Sequence, residues 1–194
     1  MYWKLLMPKI SSALGLLGVL LIAIPTFGSA TLTPEPDPAT YNFVTHHREI
    51  IHATPEVIWP VLIDLKAWMY DFDLTTESGN PGEPGQILNL YQGQDFKLQL
   101  IAAEPGRLLA FANLPITFQG EFGTGVGIFT LHKQGARTEI SLTGVRRYTW
   151  QDATSTNDLR KRRESPGFQQ QTDATWQRFL KRLKALSEAR AASE

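Results

Sequence analysis

The chain has 194 residues and 19 acidic against 19 basic side chains, so its formal net charge is zero and no whole-chain attraction to nucleic acid is expected. Hydrophobic residues make up 42% and charged residues 20%, the balance of a chain that folds around a core rather than one that stays disordered. No cysteine is present, which excludes disulfides and a thiol nucleophile.

The first thirty residues differ from the rest. Lys4 and Lys9 are the sole charges before Glu35, and "ALGLLGVLLIAI" at 13–24 is uninterruptedly apolar. "PTFGSA" follows, with a helix-breaking proline and the small residues Gly28 and Ala30. This is the pattern of a secretory signal peptide, with cleavage expected after Ala30 and a periplasmic or secreted product. The alternative is an N-terminal membrane anchor, but the apolar core is shorter than the roughly 20 residues that span a bilayer. The segment has no cysteine, so a lipoprotein anchor is excluded. Losing Lys4 and Lys9 would leave 17 basic and 19 acidic residues, a net charge of −2.

"TLTPEPDPAT" at 31–40 reads as a proline-rich linker. A strand is expected over 41–52, followed by "TPEVIWPVLIDLKAWM" at 54–69. There Thr54 is placed to cap a helix and Pro55 suits its first position. Pro60, however, falls where a long helix would lose about 3 kcal/mol. The spacing therefore predicts two short helical pieces. After the turn cluster "ESGNPGEPGQ" at 77–86, strands recur over 86–92, 95–104, 107–114, 123–133 and 137–148, joined by hairpin-sized connections. Residues 149–167 read as polar and irregular. A long amphipathic helix is expected over 168–190, with Ser165 as its cap and Pro166 at its first turn, and 191–194 as a tail. Its stripe carries Phe168, Thr172, Trp176, Phe179, Leu180, Leu183 and Leu186, leaving Lys181, Arg182 and Lys184 outside.

This order gives an α+β architecture in which an antiparallel sheet needs a helix to cover its apolar face. "ATPEVIWPVLIDLKAW", "AEPGRLLAF" and "GARTEISLTGV" resemble the SRPBCC superfamily, the START-like group of polyketide cyclase/dehydrase and lipid-transport proteins. The resemblance covers about 41–190. It implies a helix-grip fold: a curved antiparallel sheet around a long C-terminal helix, with two short helices after the first strand meeting in a V.

Chemical signatures are sparse. His46 and His52 share a strand face about 20 Å apart, too far for one metal ion. His47 and Glu49 are closer but imply no third ligand, and His132 stands alone. No cofactor or metal is expected. Gly123, Gly125 and Gly127 precede no helix, so they read as a bend in a strand rather than a phosphate cradle. Asp71 and Asp73 read as exposed carboxylates at a strand entry.

Alternation instead points to a cavity. Leu98 and Leu100, Phe111, Phe129 and Leu131, and Ile140 and Leu142 share inward faces. Trp176, Phe179 and Leu180 oppose them from the helix. Asn89, Tyr91, Asn113, Arg146 and Tyr148 are the expected polar lining or rim. Four cations, Arg160, Lys161, Arg162 and Arg163, precede the long helix at the junction that the resemblance places near a cavity entrance. They read as a solvated loop, or else as a cationic gate that touches a membrane surface weakly. The reading is an exported protein that binds a hydrophobic small molecule or lipid. A polyketide cyclase/dehydratase-like enzyme and a protein-interaction module with a collapsed cavity are the alternatives.

Overall fold

The computed structural model describes residues 39–91, 95–118, 121–150 and 157–194. The expected export segment, residues 1–30, lies outside them, as does the expected linker except for Ala39 and Thr40, which begin the first strand.

Seven antiparallel strands form one sheet among the described residues. They are β1 (Ala39–Ile51), β2 (Asp73–Ser78), β3 (Ile87–Tyr91), β4 (Asp95–Glu104), β5 (Leu108–Phe118), β6 (Glu121–Gln134) and β7 (Arg137–Trp150). Their order is β1-β7-β6-β5-β4-β3-β2. β2 to β7 therefore form a meander, and the chain crosses from one sheet edge to the other once, between β1 and β2. Helices α1 (Pro55–Ile63) and α2 (Leu65–Trp68) make that crossing. α3 (Asn157–Glu164) and α4 (Pro166–Ala191) follow the sheet. Register shifts between Leu100 and Ala102 in β4 and between Asn113 and Ile116 in β5 mark bulges, which bend strands.

The helical pair after β1 is fixed by specific bonds. Pro60 sits inside α1, yet the helix continues only to Ile63, so little ladder is lost. Thr54 occupies the cap position but its hydroxyl makes no capping bond. It hydrogen-bonds Glu56 instead, which is the main reason the Glu56 carboxyl titrates below its usual range. The Trp68 indole Nε1 donates to the Leu62 carbonyl at 3.1 Å, satisfying an end group of α1 and locking α2 to it. Thr138 Oγ1 donates to the Ala53 carbonyl at 2.7 Å, tying the start of α1 to β7.

α4 is capped as its sequence predicts: Ser165 Oγ accepts from Phe168 N at 3.2 Å, with Pro166 in the first turn. Its apolar stripe buries Trp176, Phe179, Leu180 and Leu183 against the sheet and α2. Burial of each such side chain is worth about 1.5–3 kcal/mol. A second, polar seam runs along β1. The Tyr41 hydroxyl accepts from Gln169 Nε2, His47 Nε2 lies 3.2 Å from Asp173 Oδ1, and Lys184 Nζ donates to Glu49 at 2.9 Å. At the far end His52 N donates to Glu188 at 2.9 Å. Lys184 is thus held against the edge strand rather than turned outward, while Lys181 and Arg182 are exposed.

Two expectations are corrected. Residues 149–167 are not irregular throughout: β7 runs to Trp150, 157–164 is helical, and α4 starts at Pro166. α3 carries a run of cations and no apolar stripe, so periodicity could not mark it. It is anchored by Arg163, whose guanidinium carbon lies 4.7 Å from the ring centres of both Tyr148 and Phe168. The short edge strand β2 was absent from the expectation because it buries only Leu74 among polar neighbours.

Candidate ligand site

α4 runs along the sheet from the Tyr148 end of β7, where Phe168 meets Tyr148 at 6.4 Å, to the end where β1 pairs with Thr138. Its second half is packed. Its first half meets β1 and β7 through Phe168, Gln169 and Asp173 and borders a cavity of about 490 Å³. The sheet supplies Leu90, Phe96, Leu98, Phe111, Asn113 and Arg146 to its walls, and Met69 and Phe72 close the α2 side. α3 supplies Arg162 and Arg163. α4 supplies Phe168, Gln171, Thr172, Thr175, Trp176, Arg178 and Phe179.

An aromatic cluster divides this space from the dry core. Trp176 stacks on Phe111 at 6.4 Å and 28°, and meets Phe179 edge-on at 5.8 Å. Phe129 and Trp68 lie behind them, 5.5 Å apart and edge to face. Such pairs add about 0.5–1.5 kcal/mol each beyond their buried area, so the partition is a rigid one.

The glycines of β6 create room for their neighbours. β6 pairs with β7 without a register shift from Glu121 to Gln134. A Cβ on Gly127 would lie 2.5 Å from Phe111 Cζ, so the ring occupies the space that a side chain would take. A Cβ on Gly125 would lie 3.2 Å from Asn113 Nδ2 and 3.1 Å from Arg146 Cγ.

Of the residues expected from the sequence, Leu98, Phe111, Asn113, Arg146, Trp176 and Phe179 line the cavity. Leu100, Phe129, Leu131, Ile140, Leu142 and Leu180 face inward but belong to the packed core. Alternation selects the correct face of a strand but not the position along it, and most of these residues lie under the docked half of α4. Tyr148 is buried beside Phe168 and Arg163 and does not reach the cavity wall. Asn89 and Tyr91 must be moved to the outer face. They alternate with the buried Leu88 and Leu90, Asn89 hydrogen-bonds Glu77 there, and Tyr91 is 54% exposed.

The Arg160 side chain lies outside the described part of the structure, Lys161 is exposed, and Arg162 and Arg163 line the cavity. The polar residues of α4, Gln171, Thr172, Thr175 and Arg178, were not expected as lining. A faint signal existed, because Thr172 interrupts the apolar stripe between Phe168 and Trp176.

No Asp or Glu lines the cavity among the described residues, whereas four arginines do. Arg178 pairs with Asp71 at 2.7 Å, so Asp71 is half-buried and engaged, while Asp73 is exposed. Arg163 lies over two aromatic rings. Arg146 is half-buried on the inner face and makes no ion pair or hydrogen bond among the described residues. His46 is exposed and accepts from Arg48 at 2.9 Å. No group of three potential metal ligands occurs among the described residues.

No family model matches the sequence, and no curated protein matches it. Solved structures do. Ara h 8.0201 superposes with a TM-score of 0.54 at 10% identity, over 79% of this chain and 100% of that one. The fold is a helix grip. Aha1 from Colwellia psychrerythraea, solved as a dimer in solution, gives 0.50 at 20% identity over 75% of this chain and 96% of that one. DynU16, from the dynemicin biosynthetic locus, gives 0.50 at 16% identity, over 73% and 46%. At these identities the likeness extends to the helix-grip architecture and stops there.

Proposed function

We propose that this chain is an exported binding protein that carries an apolar small molecule or lipid between its sheet and its terminal helix. The observation that carries the reading is the cavity of about 490 Å³ beside the first half of α4, walled by nine apolar and eight polar side chains. Ligand pockets commonly measure about 300–1,000 Å³ and combine apolar walls with a few polar groups. The described lining offers arginine, asparagine, glutamine and threonine, none of which titrates near neutral pH. That favours binding over the cyclase/dehydratase-like alternative, whose chemistry calls for an acid or base in reach of the ligand. Export rests on the charge and apolar pattern of residues 1–30. The cations of α3 at the cavity wall support a weak contact with an anionic membrane surface during ligand transfer.

Native mass spectrometry of the purified protein tests retention of a ligand, and uptake of the neutral dye Nile red tests the cavity. Thr172→Trp places an indole on the cavity wall and should abolish uptake while leaving the fold intact by circular dichroism. Full uptake by a folded Thr172→Trp variant contradicts binding in this cavity. The intact mass of protein recovered from the cell envelope tests export: a chain beginning at Thr31 is expected, and one retaining Met1 in the membrane contradicts cleavage.

A further inference from the structure

We propose that the ligand of this cavity is an apolar molecule ending in a carboxylate, held on the sheet by Arg146 and Asn113. The inference rests on the reading of the cavity as a ligand site. It starts from one row of the sheet, in which Asn113 of β5 pairs with Gly125 of β6, and Gly125 pairs with Arg146 of β7. Because the middle residue has no side chain, the outer two lean together into the notch that its missing Cβ leaves. Asn113 Nδ2 and Arg146 Cγ would each lie within 3.2 Å of a Cβ at Gly125. The notch opens into the cavity, since both side chains line it.

The two groups at the notch are hydrogen-bond donors. Arg146 carries a guanidinium and is half-buried, with no partner among the described residues. A charge withdrawn from water is unfavourable until it is paired. The described walls supply no carboxylate to pair it. The missing acceptor is therefore expected on the ligand.

The charge count selects its type. Arg178 is neutralised by Asp71, Arg163 lies over Tyr148 and Phe168, and Arg162 is exposed at the wall. Arg146 leaves one positive charge at the notch, which matches a monoanion. The planar guanidinium presents two parallel N–H groups to a carboxylate, and the Asn113 amide adds a further donor. The apolar body of the ligand would then lie over Leu98, Phe111 and Trp176.

The test displaces Nile red from the purified full chain, after extraction of retained ligands, with dodecanoate, dodecanol and dodecyl phosphate. Dodecanoate should bind roughly 10–100-fold tighter than dodecanol, the size of a charge-assisted hydrogen bond. Arg146→Met should remove that preference, read as the acid-to-alcohol ratio within the variant, and Arg146→Lys should keep part of it. Arg146→Met should melt no lower than the wild type, because no protein partner is lost. If that variant does not fold, the acid-to-alcohol ratio of the wild type decides alone. Equal binding of acid and alcohol by the wild type, or an undiminished preference in Arg146→Met, overturns the carboxylate assignment and leaves the cavity reading standing. Tighter binding of dodecyl phosphate than of dodecanoate also overturns it. Failure of Nile red and dodecanol to bind the wild type overturns the cavity reading and this inference together.

Discussion

Phe179 joins the docked half of α4 to the cavity, so truncating it to alanine tests both. Its side chain is 1% exposed and lies within about 6 Å, centre to centre, of four aromatic rings. These are Trp68 at 6.2 Å, Tyr70 at 6.0 Å, Phe72 at 6.0 Å and Trp176 at 5.8 Å. A buried Phe→Ala change costs about 3–5 kcal/mol through lost transfer energy and residual void. The void would be continuous with the existing cavity, and the four facing rings restrict collapse, so a value near 4 kcal/mol, about mid-range, is expected. For a domain of this size that corresponds to a fall in Tm of roughly 8–16 °C. Urea denaturation followed by far-ultraviolet circular dichroism measures it, as a fall in midpoint with the slope unchanged. Leu183→Ala, in the dry core beyond the cavity, should cost about 2–5 kcal/mol, and the exposed Lys181→Ala less than about 0.5 kcal/mol. If Phe179→Ala costs no more than Lys181→Ala, α4 does not dock through this residue and the cavity loses its inner boundary.

Other perturbations separate space-filling from ligand binding. Gly127→Ala sets a methyl 2.5 Å from Phe111 Cζ; the ring lines the cavity and must shift, so Nile red uptake should fall with a stability loss of about 1 kcal/mol. Unchanged uptake and unchanged melting together would refute that packing. Leu142→Trp overfills a fully buried core position and should lower stability by about 1–3 kcal/mol or more, unlike Thr172→Trp, whose indole has the cavity to enter. The Glu77 carboxyl is held below its ordinary value of 4.5, chiefly by the hydrogen bond from Lys97 at 2.7 Å. Since its folded pKa is depressed, any stabilisation is present above the unfolded pKa and is lost as pH falls through the folded one. Lys97→Met should move the Glu77 titration, followed by carboxyl-carbon NMR, up toward 4.5; an unmoved titration would show that the pair is not formed in solution.

Much of the fold was legible because its signals are local. Alternation along β4 to β7 identified the strands and their inward faces, and Ser165-Pro166 marked the start of α4. Pro60 required the preceding helix to be short, whatever packed against it. What the sequence could not decide depends on distances between elements. Leu142 and Leu98 alternate in the same way, yet one is core and the other cavity wall, a difference set by where α4 lies over the sheet. Asn89 and Tyr91 were misplaced because polarity alone does not tell a cavity rim from an outer face; the register with Leu88 and Leu90 does. The glycines of β6 read as a bend from the sequence, which could not show that Phe111 and Arg146, on strands either side of them, occupy and flank their missing side chains. Arg146 itself was visible as an arginine in a strand. Its lack of a partner is a property of the assembled interior, where every neighbour that could neutralise it comes from another element.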